Sequence, residues 1–392
     1  MHILELPSFF LPHGGLFCLE QAKALKAMGH EVRIVSIVEL GISSDKAFYL
    51  TAPLREERRE MDGVEVISLY MRAMPKAVRW NTSHWVSLCE AAVERYAGRY
   101  GKPDILHAHC CKNAGLAARS IASRLQIPFF VTEHLSSGLF RRDFGEGWKR
   151  HGWLKEALRE TYEAAACVIP VCSELVDDLA PYFGKAYRHE AVSNIVDTDF
   201  FAFRERSDRQ GRAFRFCCLA VADIHGKGYD VLAEAMRYMP EGVELYVAGR
   251  GTDSPAMQKL FAGSPATHLL GHIDKAGVRQ LLWKSDALVL PSRSEAQPLV
   301  LLEALSTGIP AVTTECIPPS VRLPEAELFA PVGDARGLAE KMCEALEIKP
   351  SRTFHERVER IASPESVARK LTSIFQQTDL SPKPCRSSAD AL

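Results

Sequence analysis

The chain has 392 residues, 47% hydrophobic and 25% charged, with a formal net charge of −1 at pH 7; that length accommodates two ordinary domains and that composition excludes a largely disordered protein. Neither half carries a basic excess, which excludes a generic nucleic-acid surface, and no apolar run approaches the roughly 20 residues that cross a bilayer. Eleven cysteines, an odd number without a Cys-x-x-Cys spacing, and an amino terminus (MHILEL) lacking the basic and apolar regions of a signal peptide point to reduced thiols and a cytoplasmic protein.

Short β-branched and aromatic runs alternate with helical patterns along the chain, the sequence form of repeated βαβ units around a parallel sheet. In the first half the pattern predicts strands at 2–6, 31–37, 104–109, 128–134 and 167–172. Between the first two, Cys18, Ala22, Leu25 and Met28 recur at helical spacing and stop at Gly29. Residues 1–200 therefore read as one α/β domain. Within it, 139–155 interleaves Arg141, Arg142, Lys149, Arg150 and Lys155 with Phe140, Phe144, Trp148 and Trp153. That stretch reads either as a solvated amphipathic face or as a dock for an anionic membrane or a lipid-linked acceptor.

Residues 201–214 (FAFRERSDRQGRAF) turn polar and read as a linker. A second series follows, with strands expected at 215–222, 243–249, 267–273, 287–292, 310–314 and 328–332, so that 201–377 forms a second α/β domain. Its last helix, 364–377, should open on Ser363-Pro364 and carry Val367, Leu371 and Phe375 on one face. The polar tail 378–392 is expected to be disordered.

The chemistry concentrates in PSRSEAQPLVLLEALSTGIPAV, residues 291–312. Ser292 should end a buried strand and Glu295 should lie in the loop after it. Pro298 fits the first helical position, and Gly308 and Pro310 end the helix. At about 1.5 Å per residue Glu303 stands roughly 7.5 Å along the axis from Pro298, so two carboxylates sit at different heights. A nucleotide sugar can lie between them, its diphosphate facing the free N–H groups near Leu299 and Val300. The plainer alternative has Glu295 capping the helix and Glu303 facing solvent. Gly14-Gly15, after the first strand, would let the backbone approach a phosphate or simply make a tight turn. Asp197-Thr198-Asp199 reads as a turn rather than a metal site, and Gly249-Arg250-Gly251 is too short for a dinucleotide fingerprint.

Glu295-x7-Glu303, set between Pro291-Ser292 and Gly308-Ile309-Pro310, resembles the signature of the retaining GT-B glycosyltransferases of family 4. The similarity extends through Pro12-His13-Gly14-Gly15, Gly29-His30-Glu31-Val32, Asp104-Ile105-Leu106-His107-Ala108-His109, Val131-Thr132-Glu133-His134, Asn194-Ile195-Val196-Asp197 and Lys227-Gly228, in family order. The resemblance implies two Rossmann-like domains facing across a cleft, the C-terminal helix packing back toward the first. The first would bind a sugar, glycan or lipid-linked acceptor, the second a nucleotide diphosphate sugar, with no metal or other cofactor. It implies Gly14, Gly15, Lys227, Leu299 and Val300 at the diphosphate, Glu303 at the ribose, Glu295 and His134 beside the transferred sugar, and His109 in the acceptor pocket. The expected reaction retains anomeric configuration and serves glycan, polysaccharide or glycolipid synthesis, in the cytoplasm or peripherally at the inner membrane face. Two departures stand out. Ala222 occupies the position of the family's usual arginine, so diphosphate binding is expected to be either weaker or shared with Arg250 or Arg293, and Ile317-Pro318 replaces two glycines. A non-catalytic binding protein of the same fold, or an epimerase or phosphorylase, is the alternative.

Overall fold

The computed structural model describes residues 1–12, 14–42, 46–134, 151–205, 211–264 and 266–377. The tail 378–392, His13 and residues 139–150 of the basic-aromatic stretch lie outside them. Two compact units result: Met1–Ser193 with the chain from Val367 onward, and Asn194–Ser366.

The first unit is built on a seven-stranded sheet, β3-β4-β2-β1-β5-β6-β7. Its strands are β1 (His2–Pro7), β2 (Glu31–Leu40), β3 (Glu57–Met61), β4 (Val64–Arg72), β5 (Ile105–His109), β6 (Phe129–Glu133) and β7 (Cys167–Pro170). All neighbours are parallel except the β3–β4 hairpin. That hairpin was not expected from the sequence. Its first strand reads ERREM, without an apolar face, because an edge strand can be charged throughout. Its turn is Asp62-Gly63, both with positive φ, as a two-residue hairpin loop requires. Behind the sheet runs the Val78–Tyr100 helix, whose buried Trp85 donates its Nε1–H to the Ile37 carbonyl at 3.1 Å.

The Pro364–Gln377 helix opens as expected, with Ser363 Oγ accepting the Ser366 N–H. It buries Val367, Leu371 and Phe375. Phe375 lies against His107 and Phe130, and Thr372 Oγ1 meets His30 Nε2 at 2.9 Å, so this face closes over the first sheet.

The second unit has a wholly parallel six-stranded sheet, β10-β9-β8-β11-β12-β13. Its strands are β8 (Phe214–Leu219), β9 (Val243–Ala248), β10 (Thr267–Gly271), β11 (Ala287–Leu290), β12 (Ala311–Thr314) and β13 (Glu327–Ala330). Phe216, Cys218, Leu245, Val247 and Val289 form its core with Tyr229, Leu232, Leu338 and Met342. The stretch expected to begin a linker at 201 instead packs here. Phe201 is buried with its carbonyl accepting from Ser306 Oγ at 3.0 Å, and the Ala202 carbonyl accepts from Trp283 Nε1.

Strand order reverses once in each sheet, at β1/β5 and at β8/β11. At such a switch, connections leave to opposite faces and the carboxyl ends of the two central strands frame a crevice where ligands bind. Among the described residues no helix is long and apolar enough to cross a membrane, and ten cysteines are free thiols.

Candidate functional site

In the second unit the loops after β8 and β11 meet at the switch. Gly228 takes φ 69°, and a Cβ there would stand 1.9 Å from the Pro291 carbonyl oxygen. Only glycine allows this approach, and its consequence is chemical: Lys227 Nζ reaches Glu295 Oε1 at 2.7 Å. Glu295 therefore does not cap the next helix. That helix, Leu299–Ser306, begins one residue later than expected, with Pro298 at the N-cap in an extended conformation (ψ 117°) rather than in the first turn. Its N-cap residue, a proline, offers no side-chain cap, so the N–H groups of Leu299 and Val300 can face a ligand. Asn194 and Gln297, both buried, fix the approach to the helix, Gln297 Oε1 accepting the Asn194 N–H at 2.6 Å.

Glu303 lies one helical turn on and is half-buried, not solvated. Burial pushes its carboxyl up to about 7, Lys275 opposing, and among the described residues nothing hydrogen-bonds to it. Asp197 is spent on its turn, Oδ1 accepting the Phe200 N–H at 3.0 Å. Of the two arginines expected to compensate for Ala222, Arg293 is engaged, forked onto Asp230 at 2.7 and 2.8 Å. Arg250 is exposed, and its carbonyl accepts the Ala222 N–H at 3.0 Å. The exposed guanidinium thus belongs to the residue paired with the position where arginine is missing.

In the first unit the polar residues gather at the ends of β1, β5 and β6. Gly15 caps the Leu16–Ala27 helix at φ 81°, where a Cβ would come within 2.3 Å of the Phe9 carbonyl oxygen, and Gly14 precedes it at φ 110°. The helix start carries Phe17, which stacks on His134 with ring centroids 3.8 Å apart. Behind His134 stands His109, its Nδ1 3.2 Å from His134 Nε2 and its Nε2 2.7 Å from Glu5 Oε2. His109 has no exposed surface, and its ring lies between Glu5 and His134.

Sequence reasoning missed two buried carboxylates. Glu5 accepts from both His109 and His107, and His107 Nε2 meets Thr132 Oγ1 at 2.7 Å. Burial would raise the Glu5 carboxyl, but His107 and His109 outweigh it and bring it down to about 2. Glu133 accepts the Tyr162 hydroxyl, the Cys111 N–H and the His134 N–H, at 2.9, 3.0 and 3.0 Å. A signal for Glu5 was present: a lone carboxylate within the otherwise apolar HILELP must be paired when buried. Among the described residues Glu5, His107 and His109 also form the one group whose donor atoms, all within 4.8 Å of one another, could hold a metal ion.

Two mainly parallel α/β units, each with polar residues collected at its switch point, are the construction of the GT-B glycosyltransferases. Residues 15–194 match the model of the glycosyl transferase 4-like domain and residues 215–347 that of glycosyl transferases group 1. The chain belongs to this family of group 1 glycosyltransferases and is an enzyme of that class. It is 23% identical over 320 residues to the teichuronic acid biosynthesis glycosyltransferase TuaC of Bacillus subtilis, covering 79% of this chain and 78% of that one. Among solved structures, sucrose-phosphate synthase of Thermosynechococcus elongatus superposes with a TM-score of 0.74 at 17% identity, covering 96% of this chain and 99% of the other. HepE of Anabaena, in complex with UDP and glucose, gives 0.70 at 14% identity, covering 96% and 100%.

Proposed function

We propose that the enzyme transfers a hexose from a nucleotide diphosphate sugar to an acceptor hydroxyl with retention of configuration, in glycan, polysaccharide or glycolipid synthesis. The observation that carries this reading is the Lys227–Glu295 pair beside the uncapped start of the Leu299–Ser306 helix at the β8/β11 switch. A cation, two backbone donors and a carboxylate are the set that a leaving diphosphate and an electron-poor sugar require. On donor binding Lys227 exchanges Glu295 for a phosphate oxygen, and the released carboxylate turns to the sugar hydroxyls. Arg250 supplies the cation that Ala222 lacks, and Glu303 holds the ribose. As the diphosphate departs, the acceptor hydroxyl enters on the same face and gives its proton to the departing phosphate. His134 contacts the sugar, and Gly14-Gly15 bring the backbone to the diphosphate. Positive charge from lysine and the helix start makes a metal unnecessary. HepE, solved with UDP and glucose, supports a nucleotide sugar as donor, and TuaC supports a polysaccharide product.

The test is a thermal-shift screen across nucleotide sugars followed by transfer assays in EDTA. One donor should raise the apparent stability, since it binds the folded state alone, and transfer with that donor should survive chelation. Stabilisation by none would overturn the assignment, and activity lost to EDTA but restored by manganese would overturn its metal-free form.

The Glu303 role makes a pH prediction. Its carboxyl is raised from 4.5 to about 7. Protonation therefore stabilises the fold, an effect fully present below about 4.5 and lost as pH rises through about 7. A ribose diol donates hydrogen bonds best to the ionised form, so nucleoside diphosphate affinity should increase as pH rises toward and through 7, relative to Glu303→Gln. Parallel titrations by calorimetry check this, and superimposable pH profiles would remove Glu303 from the ribose site.

The acceptor is membrane-borne or lipid-linked, supported by the basic and aromatic residues of 139–155 in a chain whose formal net charge is only −1. On this reading the enzyme works in the cytoplasm, peripherally at the inner membrane face. Each cation near an anionic surface contributes about 1 kcal/mol. Neutralising Arg141, Arg142, Lys149 and Arg150 together should abolish cosedimentation with anionic liposomes and leave donor binding unchanged. Wild-type protein remaining in the supernatant at low salt would favour a soluble acceptor.

A further inference from the structure

We infer that Glu5 and His109 are positioning residues that determine which nitrogen of His134 carries the proton, through a hydrogen-bonded chain crossing β1, β5 and β6. The inference rests on the reading of His134 as the histidine that contacts the transferred sugar.

The chain can be followed atom by atom. An ionised carboxylate only accepts, so each nitrogen facing Glu5 must be an N–H. His109 presents Nε2 to Glu5 Oε2 at 2.7 Å, and His107 presents Nδ1 to the same oxygen at 2.9 Å. Burial and the neighbouring His107 keep His109 below its ordinary pKa, Glu5 opposing, which favours a neutral ring with one proton. With that proton on Nε2, Nδ1 is a bare lone pair. It lies 3.2 Å from His134 Nε2, which must therefore be the donor. In its neutral form His134 then has Nδ1 as its acceptor nitrogen, so a sugar hydroxyl meeting that nitrogen would find an acceptor, not a donor.

Its orientation is restrained from two further sides. Phe17 stacks on the ring with 28° between planes, and Glu133 accepts the backbone N–H of His134. Glu5, His107 and His109 are each fully buried. An unpaired carboxylate at that depth would be costly, and the two imidazoles that satisfy it transmit its preference to the end of β6.

Metal binding by the same trio would invert the result. His109 Nε2 would become a ligand lone pair, Nδ1 would hold the proton, and His134 Nε2 would have to accept. The separations favour the hydrogen-bonded form: ligands about 2.0 Å from a tetrahedral zinc stand about 3.3 Å from one another, further apart than 2.7 Å.

The experiment is long-range 1H–15N correlation of the imidazoles in the full-length protein labelled at histidine, together with kinetics of Glu5→Gln and His134→Ala. The spectra of the wild-type protein require no substitution. His109 and His134 should both be Nε2–H tautomers, and the preparation should contain no stoichiometric zinc. Glu5→Gln lets an amide donate toward His109 Nε2, so the His134 tautomer should shift. kcat should fall about tenfold or more, as for other outer hydrogen-bond partners, while KM for the donor changes little. His134→Ala should lower kcat at least as far; full turnover in that variant would remove the reading on which the inference rests. With that loss in place, an Nδ1–H tautomer at His134, bound zinc, or a Glu5→Gln variant with unchanged spectrum and kcat would each overturn the positioning role itself.

Discussion

Glu295→Gln is expected to lower kcat on the order of 10²-fold or more while nucleoside diphosphate binding stays within a few-fold of wild type. The carboxylate lies 2.7 Å from Lys227, and each charge offsets the other. When a donor arrives, the lysine gains a stronger partner in the diphosphate, and Glu295 is left to stabilise positive charge that develops only as the glycosidic bond breaks. A contact made mainly in the transition state appears in kcat, not in ground-state affinity. Glutamine keeps the shape and removes the charge, so binding survives. Lys227→Ala should show the complementary pattern, with weaker diphosphate binding as well as slower turnover. Steady-state kinetics with calorimetry of both variants separates the roles, and near-normal kcat in Glu295→Gln with folding intact would sink the assignment.

The strands of both sheets were legible where β-branched runs are bounded by turn residues, as in ALVL at β11, because buried parallel strands are apolar on both faces. The β3–β4 hairpin was not, since ERREM satisfies no period-2 pattern, although its Asp-Gly turn could have been used. Glu295, Glu303 and Lys227 were legible as a set through motif spacing. Their geometry was not: Lys227 and Glu295 are 68 residues apart, and only the β8–β11 pairing makes them neighbours. His134 could be found at the end of its strand, but its support could not. Glu5 and His107 are cross-strand partners in the β1–β5 register, and register depends on tertiary packing that a single sequence does not display.

Gly228→Ala should be among the most damaging single substitutions in the donor-binding unit. The new Cβ would sit 1.9 Å from the Pro291 carbonyl oxygen, a backbone atom at the end of β11 that no rotamer change can move aside. The φ of 69° adds the strain that any L side chain meets in the left-handed region. The loop and the strand end must separate, which carries Lys227 away from Glu295. A loss of about 3 kcal/mol or more is expected, with diphosphate affinity falling in parallel even at temperatures where the variant is folded. Gly242→Ala provides the control. Gly242 has φ 83°, and nothing lies within 4 Å of where its Cβ would be, so it meets the backbone strain without the collision and should lose only about 1 kcal/mol. Its donor affinity should match wild type. If the two alanine variants melt alike and bind alike, the close approach of Gly228 to Pro291 is not what holds Lys227 in place, and the geometry assigned to the diphosphate site fails with it.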